Sequence, residues 1–239
     1  MSKKRTKKIP LWVWIAGGAV LVLAVVLCVV LLSGGNGADP VESTGATTKI
    51  ENVQDVSINL GYGMTVTDIG SYTGAYVEDG TNEVVSGVMM AVVTNSGDQT
   101  IQYAQFQLTD GEKTAAFSLS TLPPGESVVV LEQSRMGYAA GLTQAVVQNV
   151  ALFQTEPTLC EDKIKIQALD GVLNITNISG EDITGNVIIY YKNSSADMLY
   201  GGITYRVVIS GGMKAGEIKQ GTANHFSTSG SRVMFVTCG

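Results

Sequence analysis

The chain has 239 residues, 45% of them hydrophobic, with 15 Lys and Arg against 21 Asp and Glu, one His and three Cys. Five of the cations, Lys3, Lys4, Arg5, Lys7 and Lys8, stand in the first ten residues, so residues 33–239 keep 10 cations against 21 acids, a net −11. That balance excludes a nucleic-acid partner, because a phosphate backbone is held by clustered Lys and Arg that displace counterions.

In chain order, residues 1–10 (MSKKRTKKIP) form a basic tail, and residues 11–32 (LWVWIAGGAVLVLAVVLCVVLL) are 22 residues without a charge. At a helical rise of about 1.5 Å per residue this run reaches roughly 33 Å, matching a hydrocarbon core about 30 Å thick. A cleaved signal peptide has a shorter apolar region of about 7–15 residues, so the run is read as a transmembrane helix that stays in the bilayer. The flanking cations place the N-terminus in the cytoplasm and everything after the helix outside it. Trp12 and Trp14 suit the cytoplasmic interface, where an indole keeps its body in lipid and its N–H among headgroups. Cys28 is read as a small apolar filler, and Gly17, Ala24 and Cys28 share a helix face along which a second helix could approach. Residues 33–50, rich in Gly, Ser, Thr, Asn and Asp, offer little to bury and read as a flexible linker.

From Glu51 onward no amphipathic helical period occurs, whereas period-two alternation and turn signals recur about every eight to twelve residues. Ala104, Phe106 and Leu108 alternate with Gln105 and Gln107, Thr109–Glu112 turns, and Phe117 and Leu119 alternate with Ser118 and Ser120. This predicts a hairpin with one dry face. Leu122-Pro123-Pro124-Gly125-Glu126 then breaks the ladder before the strand of SVVVLEQ. In the second half GNVIIYYK predicts a strand, Asn193–Asp197 a polar turn and ITYRVVI another strand. Met213-Lys214-Ala215-Gly216-Glu217 stands where the first half has Leu122–Glu126.

The two halves share a signature. VVTNSGDQTI (Val92–Ile101) returns as NITNISGEDI (Asn174–Ile183), each time a strand running into Thr-Asn and a Ser-Gly-acid turn. The second half is longer between its Asn177 and Gly216 than the first between Asn95 and Gly125, which suggests an insertion around Tyr200–Tyr205. The fold class expected is all-β, two related β-sandwiches in tandem over residues 51–157 and 158–239. Thr94, Asn95, Gly97, Thr176, Asn177 and Gly180 are read as structural turn residues, Asn bonding to nearby backbone and Gly accepting positive φ.

A strand ending in T-N-S-G or T-N-x-S-G, with a later P-G-E-S in the first half, resembles the immunoglobulin-like modules of bacterial surface proteins, including adhesion-related and FxLYD-like types. The resemblance extends over about residues 50–239. Ile188-Ile189-Tyr190-Tyr191-Lys192 is similar to an FxLYD-like strand, although no Phe-x-Leu-Tyr-Asp string occurs. It implies an immunoglobulin-like fold and an exported setting, and it transfers no active site.

Chemistry is sparse. Cys160 and Cys238 bracket the second half, 78 positions apart. Outside the cytoplasm they read as a disulfide, with two free buried thiols as the alternative. His225 stands near Ser227, Ser229 and Ser231 without a G-x-S-x-G elbow and reads as a polar residue rather than a general base. The acid pairs Glu78-Asp79, Glu161-Asp162 and Glu181-Asp182 adjoin turns without EF-hand spacing. Asn174, Asn177 and Asn193 open N-x-S/T sequons. No cofactor, metal or catalytic residue is expected. Tyr190, Tyr191, Tyr200 and Tyr205 form the candidate binding surface, with one of the adjacent Tyr190 and Tyr191 facing the core. The function expected is that of a single-pass, membrane-anchored extracytoplasmic binding or adhesion protein with a protein or cell-wall partner. The alternative is an accessory or sensor subunit of an envelope secretion, transport or signalling complex.

Overall fold

Alternating apolar residues between Gly- and Pro-marked turns leave the chain only one way to bury its backbone polar groups, in ladders between strands. A computed structural model describes residues 48–195 and 198–239, and these are all-β with no helix. The basic tail, the transmembrane helix expected over 11–32 and nearly all of the linker lie outside the described residues. Among the described residues no helix is long and apolar enough to cross a membrane.

Thirteen strands follow in order: β1 (Lys49–Gly61), β2 (Met64–Ala75), β3 (Val84–Asn95), β4 (Ile101–Thr109), β5 (Thr114–Leu122), β6 (Ser127–Leu131), β7 (Gln144–Leu152), β8 (Ile164–Leu169), β9 (Val172–Asn177), β10 (Val187–Ser195), β11 (Met198–Ile209), β12 (Ile218–Thr222) and β13 (Ser231–Cys238). They build a seven-stranded sheet, β1-β2-β3-β6-β11-β10-β13, and two three-stranded sheets, β5-β4-β7 and β12-β9-β8. The connectivity repeats. In the first half β2-β3-β6 lie in one sheet and β5-β4-β7 in another; in the second, β8-β9-β12 and β11-β10-β13 show the same order shifted by six strands.

The hairpin expected from YAQFQL is β4 with β5, Phe106 opposite Phe117 and Ala104 opposite Leu119. Its dry face holds Ala104, Phe106, Leu108, Phe117 and Leu119, which join Val66, Ile69, Met89, Val93, Val128 and Val130 of the seven-stranded sheet in one core. Phe106 and Phe117 stack at 5.4 Å between centroids. A second core joins Leu173 and Ile175 of β9 to Val187, Ile189 and Tyr191 of β10, Val207 and Ile209 of β11 and Val236 of β13.

The repeated Thr-Asn signature acts at longer range than a local turn. Asn95 is fully buried, and its Nδ2 donates to the carbonyls of Gln99 and Leu122 (both 2.9 Å) while its Oδ1 accepts from the Gly97 N–H (3.0 Å). Its backbone N–H donates to the Glu126 carbonyl (2.9 Å), and the Gly125 N–H returns to the Asn95 carbonyl (2.7 Å). Asn177 repeats this: Nδ2 reaches the carbonyls of Glu181 (2.7 Å) and Met213 (3.1 Å), and Oδ1 takes the Ser179 N–H (3.0 Å). The backbone exchanges with Glu217 and Gly216 (3.0 and 3.1 Å). Gly125 and Gly216 hold the same left-handed φ, 76° and 75°, which a side chain would strain. Each asparagine therefore clasps the end of one strand to the x-x-Gly-Glu turn that launches another, and the sequon at Asn177 is sealed inside the fold.

The extra length of the second half is not one insertion at Tyr200–Tyr205. β11 is 12 residues where β5 is 9. Longer connections before β10 and before β12 supply the rest. Of the polar turn expected over Asn193–Asp197, residues 193–195 belong to β10, and residues 196 and 197 lie outside the described residues.

Because each asparagine side chain makes several hydrogen bonds inside the fold, Asn95→Ala and Asn177→Ala are each expected to destabilise it by about 2–4 kcal/mol. Asn174→Ala, three residues away on the same strand as Asn177, should change stability by less than about 0.5 kcal/mol. Urea-unfolding midpoints of the three variants check both statements.

Candidate functional site

The two halves meet edge to edge. β6 pairs with β11 in parallel, Ser127 opposite Met198 and Val129 opposite Tyr200, while every other named strand pairing is antiparallel. Beside this seam β11 bulges: Tyr205 pairs with Tyr191 and Tyr200 with Asn193, leaving Gly201–Thr204 looped out of register. The bulge docks on β5. The Ser120 hydroxyl bonds to the Gly202 carbonyl (2.9 Å) and the Thr204 hydroxyl (2.8 Å).

Lys192 of β10 is 0% exposed, and its Nζ donates to three carbonyls: Ser120 (2.9 Å) of the first half, and Gly202 (3.1 Å) and Ile203 (3.0 Å) of the bulge. An ammonium has three N–H bonds, so its donor capacity is filled. From the β2–β3 connection Glu78 enters the same junction, its Oε1 accepting from the Leu131 N–H (2.8 Å) and its Oε2 from the Gly202 N–H (2.7 Å). Burial pushes the Glu78 carboxyl up, opposed by those two N–H groups and by the charge of Lys192. Burial pushes the Lys192 ammonium down, opposed by the charge of Glu78. Gly202 between them has no room for a side chain, since a Cβ there would lie 2.0 Å from the Ser118 carbonyl oxygen.

The segment carrying Glu78 is strapped in place. Arg135 pairs with Asp79 (2.9 Å) and Glu83 (2.7 Å) and lies 4.6 Å over the Tyr76 ring. Tyr76 in turn donates its hydroxyl to the Glu132 carbonyl (3.0 Å). Across the junction Tyr205 reaches the Val77 carbonyl (3.4 Å), Asn82 bonds to His225 Nδ1 (3.1 Å), and Arg232 pairs with Glu126. Among the described residues no buried side-chain nitrogen or oxygen lacks a partner. The arrangement can fix the two halves against each other; it leaves no free donor, acceptor or nucleophile at its centre.

The four candidate tyrosines do not share one face. Tyr191 is buried and stacks on Tyr205 (5.3 Å), which stacks on His225 (4.6 Å). Tyr190 stacks instead on Phe235 (4.1 Å), and Tyr200 packs against Tyr72, Val129 and Leu131. Burial pushes the Tyr205 phenol up to about 12. Ser231 and Ser227 serve backbone bonds beside His225 and make none with its ring. The acid pairs diverge: Glu78 turns inward and Asp79 outward to Arg135, and Asp182 accepts the Ala215 N–H (2.9 Å). No group of three or more His, Cys, Asp or Glu suited to a metal occurs among the described residues.

Cys160 and Cys238 are free thiols, half-exposed, and adjacent at the edge of the second core. Sequence reasoning missed Lys192 and Glu78, reading one as a strand residue and the other as a turn acid. The available signal was one cation inside the apolar run VIIYYK. No protein family matches the chain, and no curated protein or solved structure matches it.

Removing one of two opposite buried charges leaves the other without the attraction that offsets its burial. Glu78→Gln and Lys192→Met are therefore each expected to lose about 3–5 kcal/mol, and the double variant less than the sum. Glu78, raised from 4.5, stabilises the fold below that value and loses this as pH rises through its folded value. Lys192, lowered from 10.5, destabilises it below its folded value and recovers toward 10.5. Measured against the double variant, the wild type should thus be relatively least stable between the two limits. Urea titrations across this pH range check the sign.

Proposed function

We propose that the chain is a single-pass membrane protein whose extracytoplasmic part, two tandem immunoglobulin-like β-sandwiches, binds a protein or cell-wall partner and catalyses no reaction. The observation that carries this reading is the repeated strand order joined through a sealed junction. Two copies of one sandwich, locked edge to edge, form a scaffold that presents loops and strand edges at fixed separation. The charge-free run at residues 11–32 supports the tether, and the cations before it support the orientation.

Charge supports a location for the partner. Residues 48–157 hold 12 acids and 3 cations, while residues 158–239 hold 7 of each. A basic surface, or one bridged by a divalent cation, complements the first half, and its association should weaken as salt screens the field.

Protease added to intact cells tests the placement. Residues 50–239 are expected to be cut, and their survival until the cells are permeabilised would overturn it. Crosslinking on intact cells then identifies the partner. Recovery of wall or surface components supports binding or adhesion. Co-purification with a membrane assembly, and loss of the chain when that assembly is deleted, would instead support the accessory-subunit alternative.

A further inference from the structure

Cys160 lies at the turn that opens the second half, and Cys238 closes its final strand. The turn is well held: the N–H groups of Lys163 and Ile164 both donate to the Cys160 carbonyl (2.9 Å each), and the backbone at Cys160 is left-handed (φ 50°). β13 runs beside it, with the Val236 N–H donating to the Thr158 carbonyl (2.8 Å) and the Cys160 thiol to the Val236 carbonyl (3.4 Å). Cys238 pairs with Val187 in the β10–β13 ladder, and the Gly239 N–H bonds to the Asn186 carbonyl (3.1 Å). Both sulfurs therefore ride on hydrogen-bonded backbone and meet side by side, so little ordering remains to be done when they join. Both are half-exposed, which leaves a path for an incoming reagent.

From this geometry we infer that Cys160 and Cys238 form a dithiol–disulfide couple, oxidised by a disulfide donor, that closes a covalent ring around the entire second half. The thiolate of Cys160 attacks a sulfur of the donor, expelling one donor thiol and leaving a mixed disulfide. Cys238 then loses its proton and attacks the Cys160 sulfur, expelling the second donor thiol. The chain gives up two protons and two electrons, and the donor disulfide takes both. The first attack is drawn from Cys160, since burial, and then the neighbouring Cys160 sulfur, push the Cys238 thiol up to about 12. The ring runs from the turn before β8 to the end of β13, so once closed it prevents β13 from peeling away.

The test uses the full chain in detergent micelles, with Cys28→Ala to silence the third thiol. The reduced protein is incubated with excess oxidised glutathione, quenched with acid and alkylated. The expected product has lost both alkylatable thiols and the mass of two hydrogens, carries no glutathione, and yields one linked peptide containing Cys160 and Cys238. Adding Cys238→Ser should halt the reaction at a single glutathione adduct on Cys160. If both thiols stay alkylatable, or end as two separate adducts, while circular dichroism shows the fold intact, the inference is overturned. The same acid quench on intact cells separates this inference from the exported placement. A bond that forms in micelles but is absent from cells upholds the couple and counts against that placement.

Discussion

A lysine ammonium removed from water must be given oxygen atoms, and the construction of this molecule follows from meeting that demand at Lys192. A regular strand turns successive carbonyls to opposite sides, so two adjacent carbonyls cannot converge on one point unless the strand leaves its register. β11 does so at Gly201–Thr204, delivering the carbonyls of Gly202 and Ile203. The third acceptor, Ser120, comes from the other half of the chain, so Lys192 is satisfied only when the halves are docked. Separated, it would face either water, with the seam exposed, or a cavity one acceptor short.

The same logic explains why Glu78 belongs to the junction. A single buried cation raises the local potential, and a carboxylate answers it, yet Glu78 reaches its place through the backbone N–H groups of Leu131 and Gly202. Gly202 thus accepts from the cation through its carbonyl and donates to the anion through its N–H, and it can do both only because no side chain separates it from β5. The parallel β6–β11 pairing then extends one sheet across both halves, so displacement of either strains a continuous ladder.

How much of this was legible follows from the range of each interaction. The alternation of Phe106, Leu108, Phe117 and Leu119 is a local pattern with one physical solution, and the hairpin appears where it points. The Thr-Asn and x-x-Gly-Glu signatures were legible as turns because Asn and Gly suit turns anywhere. Their pairing into one clasp was not, since Asn95 reaches Leu122 and Asn177 reaches Met213 only after folding. Lys192 and Glu78 were opaque for the stronger reason that each reads normally where it stands, a cation near a strand end and an acid beside a turn. The four tyrosines were grouped by closeness in sequence, whereas the β11 bulge and the pleat of β10 leave Tyr191 stacked on Tyr205, Tyr190 on Phe235 and Tyr200 beside Tyr72.

The two devices of the fold answer different demands. The asparagine clasp occurs in both halves, each asparagine tying a strand end to an x-x-Gly-Glu turn, and Asn177 adds a bond to the Lys214 carbonyl, so the clasp belongs to the repeated unit. The lysine lock occurs once: β10 and β5 supply Lys192 and Ser120, while the bulge of the longer β11 and the connection carrying Glu78 supply the rest, where the halves diverge. Joining two units in one arrangement needs a contact that neither can complete alone. A buried ammonium suits that task better than an apolar patch, because a patch tolerates sliding whereas Lys192 meets its three carbonyls in one arrangement. What the lock specifies is therefore geometry, the spacing between the acid-rich first half and the strand edges of the second.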